Sequence, residues 1–502
     1  MAKPNIVFIF SDDHGFQAIG ACKSWLQPFM RENNITPHLD SLATDGAVFN
    51  RCYCGNSICS PSRATVLTGK HSHKNGVTRL SSDFDSSQLQ FPELLQDAGY
   101  QTALVGKWHL PNSKPVGFDY WEILPGQGSY YQPDFITPDG TRRREGYATD
   151  ITTDLALDWL KEERDQDAPF MLMLHHKAPH RTWQPPLHYL NYLDDVTVPE
   201  PLNLRDTYEN RASAAAAHEM GIMEHMLVDY DLKVEPVRPD WPIGKDGKPE
   251  TPWNVSRMTS EQLDAWEAAY GPKNEEFREA NLSGQDLLKW KYQRYMKDYL
   301  RCIKSIDDNV GRVLDYLDEA GLSDNTLVIY SSDQGFFLGE HGWFDKRWMY
   351  EESFRMPFLA RWPAVCKPGT VVDALSQNID FAPTFLDIAG VPVPEEMQGV
   401  SMMPLLLGET PSTWRKSLYY HYYMFPAEHS VARHRGVRTD RYKLIHYYEL
   451  EEWELFDLEN DTMEMVSVYA DPAYASVVSD MKQELDRIRA HYDDLDEVSE
   501  YA

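Results

Sequence analysis

Four stretches of this 502-residue chain set chemically capable side chains directly after an apolar run: SDDHG after NIVFIF, KWHL after QTALVG, HHKAPH after PFMLML, and SSDQG after TLVIY. The first and last supply Asp12, Asp13, Asp333 and Gln334. Three carboxylates and an amide oxygen form a hard donor set, matched to Ca2+ or Mg2+ rather than to a soft metal. Aspartate is also a turn former, so either pair alone says little. The second and third stretches, with GEHGWFDKRW further on, supply Lys107, His109, His175, His176, Lys177, His180, His341 and Lys346, a basic lining suited to an anionic group. A fifth stretch, NSICSPSRATVLTGK, carries Cys59. Ser60 reads as a helix N-cap and Pro61 as a first-turn residue. That places Cys59 at the positive end of a helix dipole, where an anion is favoured and a thiol pKa falls. Arg63 follows within the first turn and can reach back to the same point. Small-residue packing is the competing use of a lone cysteine.

These side chains can act together only if the fold brings them together. The four apolar runs read as buried parallel strands, with helical segments between them. TPHLDSLATDG has Thr36 as N-cap, Pro37 in the first turn and Gly46 as terminator, and FPELLQDAG is a second helix. Ser283 to Gly321 reads as one long helix or two shorter ones. Strands alternating with helices predict an α/β fold, a large and mostly parallel sheet covered on both faces. Ligands gather at the carboxyl ends of such strands, where all four polar clusters lie. From about Tyr189 to Leu282 the pattern loosens into an insertion placed near the pocket mouth, with helix expected in RASAAAAHEMGIMEHML and TSEQLDAWEAAYG and a Pro-, Gly- and Asp-rich stretch, VEPVRPDWPIGKDGKPETPW, between them. After PTFLDIAGVPVP the character becomes antiparallel, in HYYMFPAEHSVARHRGVRTDRYKLIHYY and EWELFDLEND, followed by a final helix, YASVVSDMKQELDRIRAHY. The expected division is a catalytic domain over residues 1–400 and a smaller α+β subdomain over 401–502 that completes the pocket.

Composition narrows the function. With 42% hydrophobic and 25% charged residues the chain is an ordinary globular one. No apolar run approaches ~18 residues, so no membrane span is expected. The first strand begins at Asn5 and leaves no room for a signal peptide, which fits a cytoplasmic chain, or a periplasmic or secreted one that has been trimmed. A net charge of −30 argues against binding nucleic acid or an anionic membrane, which need a basic footprint. It also sets a condition, since an anionic substrate then requires a local cluster of positive charge. The six cysteines show neither a C-x-x-C pair nor a Cys/His zinc pattern, and a core this large needs no disulfide framework.

CSPSRATVLTGK resembles the formylglycine signature of the type I sulfatases, in the alkaline-phosphatase-like superfamily: C-x-P-S-R, then a leucine-threonine-glycine element, with Lys70 where arginine is more usual. The resemblance runs over nearly the whole chain, through NIVFIFSDDHG, TPHLDSLATDGAVF, GYQTALVGKWHL, KAPH, SDQGFFLGEHGWFDK and GVRTDRYKLI. It implies that a maturation enzyme oxidises Cys59 to Cα-formylglycine, whose hydrated aldehyde attacks sulfur. The sulfated hemiacetal then expels sulfate, where a serine or cysteine would stay trapped as its ester. The resemblance also implies Asp12, Asp13, Asp333, Gln334 and the modified Cys59 as ligands of calcium, with magnesium the alternative. Gln334 stands where many relatives have asparagine or histidine. Asp333 would also act as base toward the diol. Arg63 would hold the diol, and Lys107 and Lys346 would bind the sulfate. His109 would take the second hydroxyl proton, and His180 would serve the leaving oxygen as general acid.

Within the family, the stretches from Ser332 to Pro357 and from His421 to Tyr448 look more like the bacterial polysaccharide sulfatases than the aryl-sulfate hydrolases. That implies a sulfated carbohydrate: N-acetylglucosamine 6-sulfate, another glycosaminoglycan unit, or an algal sugar of the ulvan or fucoidan type. Candidates for the sugar subsite are Arg181, Trp348, Arg355, His434 and Arg435, with Trp108, Trp183 and His429 beside them. Three other readings stay open. One is a phosphonate monoester or phosphodiester hydrolase on the same fold, and another a silent glycan-binding homologue, against which the filled site argues. The third is a thiol enzyme using unmodified Cys59, against which the acid-rich site argues.

Overall fold

The computed structural model describes residues 3–241, 243 and 250–495; part of the Pro-, Gly- and Asp-rich stretch and the last residues of the expected subdomain lie outside them. The four apolar runs form strands β1 (Asn5–Ser11), β2 (Gln101–Lys107), β3 (Phe170–His175) and β4 (Thr326–Ser332). They lie side by side in the order β4–β1–β3–β2, all parallel. Alternate residues of β1 serve two cores: Val7 and Ile9 pack with Leu39 and Val310, while Ile6, Phe8 and Phe10 pack with Val66 and Phe385. Burial on both faces is why these strands read as unbroken apolar runs. Six more strands extend the sheet to ten: Tyr120–Leu124, Asp134–Thr137 and Gly140–Arg143 beyond β2, and Phe358–Arg361, Ala47–Phe49 and Thr370–Val372 beyond β4.

Four helices matter most for the site: α1 (Cys59–Thr68), α2 (Ser260–Ala280), α3 (Gly284–Glu319) and α4 (Ala475–Tyr492). The stretch from Ser283 to Gly321 is one continuous helix of 36 residues. A capping box of Thr259 and Gln262 starts α2, which runs on past Tyr270 and Gly271 to Ala280. RASAAAAHEMGIMEHML, by contrast, is helical only over Ala214–Ala217. Part of its backbone bonds to other segments: the Glu219 amide donates to the His429 carbonyl, and Gly221 bridges to Trp343. Buried charge fastens the insertion to α3, with Lys233 at 3.0 Å and Arg301 at 2.9 Å from Asp298, and Asp194 at 2.6 Å from Arg301.

A second, antiparallel sheet comprises β5 (Ser417–Tyr422), β6 (His434–Thr439), β7 (Tyr442–Tyr447) and β8 (Glu452–Asp457), in that order. Tyr419, Val437, Leu444 and Leu455 pack under α4, while Tyr420, Tyr422, Ile445 and Tyr447 join the main core beside Trp343 and Trp348. The loop from β5 to β6 carries Glu428 and His429 toward the ends of the parallel strands. Among the described residues no helix is long and apolar enough to cross a membrane.

Candidate active site

The carboxyl ends of β1, β2, β3 and β4 meet in one buried cluster. Its tightest point is Gly106, at φ +106°, where a Cβ would lie 1.9 Å from the His175 carbonyl oxygen; only glycine lets β2 and β3 close up here. Oxygens of Asp12, Asp13 and Asp333 all lie within 4.8 Å of one another. The Gln334 amide nitrogen donates to Asp13 at 2.5 Å, and its carbonyl oxygen is buried with no partner. The Lys107 ammonium bonds to Asp12 and to Gln127, and Lys346 to both oxygens of Asp13 at 2.5 and 2.6 Å. Arg63 donates from Nε to Asp333 at 3.1 Å and from Nη1 to the Lys107 carbonyl at 2.9 Å. The Cys59 thiol points at Asp12 Oδ1, 3.4 Å away. His180 Nε2 is 3.8 Å from Asp13, and its Nδ1 donates to the Arg181 carbonyl at 2.6 Å. His109 completes the group, its carbonyl accepting a 2.7 Å bond from Ser60. The structure thus brings all ten expected catalytic and metal-site residues together.

Local geometry around Cys59 departs from expectation. Ile58, not Ser60, is the N-cap; Cys59 is the first helical residue, and Ser60 turns its hydroxyl to His109. Ser62 bonds to the Asp333 carbonyl, and Asn378 donates to Ser62 at 2.9 Å, so α1 is pinned to the end of β4. The thiol pKa is not lowered. Burial and the Asp12 carboxylate push it well above the ordinary value, and the helix terminus does not offset them. A buried thiol beside a carboxylate is a poor thiolate, which weighs against a thiol nucleophile.

Burial lifts the Asp13 carboxyl to about 7 against the pull of Lys346, with Asp12 and Asp333 adding to the rise. Burial and Asp12 lift Asp333 to about 6 against Arg63. Burial would also raise Asp12, but Lys107, His180 and Arg63 hold it well below the usual carboxylate range. Three carboxylates crowded until two resist ionisation, beside an orphaned amide oxygen, are what a hard divalent cation would relieve. The residues present therefore fit such an ion.

The expected sugar contacts divide sharply. Trp348 is fully buried, stacked on Trp343 at 5.0 Å and on His434 at 5.6 Å. His434 is buried too, and its Nε2 accepts from the Met349 amide. Both are core residues that hold β6 to the main body. Arg355 lies 3.9 Å over the Phe16 ring and lines a separate cavity of about 490 Å3, which none of the ten clustered residues lines. Arg435, next to His434, falls on the opposite face of β6 and rests on Tyr448. Trp108 and Trp183 are packing residues, the latter 4.6 Å from Tyr295. Arg181 does reach the rim. It forms a two-point pair with Asp231 at 2.6 and 3.0 Å and extends to Glu428 at 3.0 Å.

The structure adds two residues that the sequence did not reveal, Asp345 and Arg347, and joins to them His429, one of the expected sugar contacts. Asp345 and Arg347 flank Lys346, bond to each other, and have φ of +78° and +91°. His429, at φ +71°, sets Nε2 3.3 Å from Asp345 and donates from Nδ1 to the Glu219 carbonyl. These backbone angles swing an acid, an arginine and an imidazole to the same side as Lys346. The one available signal was the alternation of charge in FDKRW, which periodicity cannot orient.

Comparison with known proteins bears on this arrangement. The family model for Sulfatase matches residues 4–391, and the model for N-sulphoglucosamine sulphohydrolase, C-terminal, matches residues 339–491. The N-acetylglucosamine-6-O-sulfatase of Bacteroides thetaiotaomicron is 47% identical over 500 residues, 98% of this chain and 88% of that protein. The structure of BT4656 in complex with its substrate D-glucosamine-2-N,6-O-disulfate superposes with a TM-score of 0.93 at 46% identity, covering 99% of both chains. The phosphonate monoester hydrolase of Silicibacter pomeroyi, at 22% identity and a TM-score of 0.70 over 97% of this chain and 96% of that one, shares the fold.

Proposed function

The chain belongs to the sulfatase family and hydrolyses sulfate esters of carbohydrates, and from that premise we propose that its substrate is a glucosamine-type sugar bearing sulfate on O6. The observation that carries this reading is the end-to-end likeness to a protein whose substrate is a 2-N,6-O-disulfated glucosamine. The filled catalytic cluster and its local positive charge support it. In a chain of net charge −30, Lys107, Lys346 and Arg63 supply the cationic groups that a sulfate needs.

At position 59, the Cα-formylglycine that the family forms from its motif cysteine supplies a hydrated-aldehyde nucleophile. Asp12, Asp13, Asp333 and Gln334 would hold a divalent cation, favoured as calcium by the all-oxygen set, which supplies Lewis acidity toward sulfate oxygens. The chain's own groups do the rest. Arg63, one helical turn from Cys59 and paired with Asp333, orients the nucleophile and balances its charge. Lys107 and Lys346 bind the sulfate oxygens and stabilise the charge that builds as the S–O bond breaks. Because Nδ1 of His180 donates to the Arg181 carbonyl, Nε2 is the nitrogen that faces the cluster. With the ring in its charged form, which burial opposes and the Asp12 carboxylate favours, it delivers a proton to the leaving sugar oxygen. His109, whose carbonyl is held by Ser60 next to Cys59, takes the remaining hydroxyl proton. Asp345, Arg347 and His429 meet the sugar hydroxyls beside the sulfate, and with Glu428 they give residues 401–502 the task of completing the pocket. Cys59 is 1% exposed, so the maturation enzyme must meet the motif before the chain closes over it.

A panel of glucosamine and galactosamine monosaccharides, each sulfated at a single position, tests the proposal. Sulfate release is expected from the 6-O-sulfated glucosamines. Faster release from another position, or faster cleavage of a phosphonate monoester, would overturn it.

A further inference from the structure

The wall of the pocket continues outward as a run of stacked faces. Phe344, next to Asp345 and fully buried, lies under one side of the Arg181 guanidinium at 5.4 Å. Tyr230 covers Arg181 from a second ring, 5.3 Å away. Trp253 then packs against Tyr230, the ring centroids 5.2 Å apart and the planes tilted by 39°. Exposure rises along the series: Phe344 has none, the Arg181 side chain 12%, Tyr230 is half-buried, and Trp253 is 59% exposed. A large indole left open to water is uncommon unless something covers it.

The series is also rigidly held. Asn254, buried, donates to the carbonyls of Asp229 and Tyr230 at 3.2 and 3.0 Å. Its own side-chain oxygen accepts from Thr182 and Gln184, both at 3.1 Å, just past Arg181. Asp231 fixes Arg181 by two bonds and caps the Leu227 amide at 2.8 Å. One asparagine and one aspartate thus tie the outer rings to the segment that carries His180. Fixed aromatic faces with a cation among them suit a sugar ring, whose axial C–H surface packs on an aromatic plane while its acidic substituents meet arginine.

We infer that Arg181, Tyr230 and Trp253, backed by the buried Phe344, line a distal subsite that binds the saccharide units attached to the sulfated sugar, so that the enzyme takes hold of an oligosaccharide and not of a single sugar. The inference rests on the sulfatase reading given above and deepens it. Continuity fixes the occupant: the series starts at the neighbours of Lys346 and His180, so whatever leaves the catalytic cluster along this wall is covalently joined to the sugar held there.

The test compares kcat/KM for N-acetylglucosamine 6-sulfate with that for a tetrasaccharide ending in the same unit, in wild type and Trp253→Ala. Wild type is expected to show a lower KM for the tetrasaccharide. Trp253→Ala should raise that KM by at least about fivefold, while the KM for the monosaccharide moves less than about twofold. The tryptophan is largely exposed, so the variant should fold, and a matching melting temperature confirms it. Calorimetric binding of the tetrasaccharide to Cys59→Ala, with and without Trp253→Ala, should show the same loss. Equal KM values for the two substrates in wild type, or equal losses on both in the variant, would overturn the distal subsite. Absence of sulfate release from either substrate by wild type would instead sink the functional reading.

Discussion

Lys346 and Arg347 are neighbours with opposite uses, and the difference decides what their removal does. Lys346 faces the carboxylates and, through them, the reacting sulfate. Losing a preorganised donor to developing charge costs about 10²–10³ in rate, so Lys346→Met should lower kcat by that order. Arg347 is paired with Asp345 and in the proposed reading meets the sugar, so Arg347→Ala should raise KM about tenfold or more with a smaller change in kcat. Steady-state kinetics on N-acetylglucosamine 6-sulfate separates the two, and a fall in kcat alone for Arg347→Ala would remove it from the sugar wall. Lys346 was legible in the sequence because its motif gave it away. Arg347 was not, because left-handed backbone aims it where no periodicity points, whereas His429 was a candidate sugar contact whose place beside Asp345 was not legible. Trp348 is the converse case: expected as an aromatic contact for the sugar, it is core, stacked on Trp343 and His434.

At the scale of elements, the strand ends were legible and the insertion was not. Apolar runs buried on both faces are distinctive, and parallel strands place their following residues at one edge by construction. The insertion instead takes its shape from ion pairs with α3 that no local pattern encodes, such as Lys233 with Asp298. Glu235 lies beside this anchor, with one oxygen accepting from the Trp266 indole and the other buried without a partner. Burial lifts its carboxyl to about 7, against the pull of Trp266 and Lys233. An unfolded glutamate titrates near 4.3, so between roughly pH 4.3 and 7 the folded chain holds a proton that the unfolded chain releases. This group's contribution to stability therefore falls as pH rises through that window. Glu235→Gln should melt higher than wild type at pH 8 and about equal to it at pH 5. The same difference at both pH values would contradict the assignment.

For the whole molecule, the second sheet is joined to the first by buried charge as well as by packing. Lys443 of β7 sits 2.8 Å from Glu351 and 2.7 Å from Glu464, and Arg438 of β6 sits 3.0 Å from Glu351. Tyr350 adds a 2.8 Å bond to Glu454 of β8. Removing one partner of such a group strands the others, at about 3–5 kcal/mol. Lys443→Met should therefore lower the melting temperature sharply while unfolding stays a single transition; an early separate transition of the small sheet would show that the two sheets are not one cooperative unit. The overall negative charge fits the same plan, since it leaves Lys107, Lys346 and Arg63 of the catalytic cluster as the local cations for a sulfated ligand.

All of this turns on position 59. The most direct test measures sulfate released from N-acetylglucosamine 6-sulfate by wild type and by Cys59→Ala, with the mass of the wild-type peptide confirming the aldehyde. Release by wild type and none by the variant is the predicted result. Equal release by both, or no release by wild type with the aldehyde in place, would contradict the account.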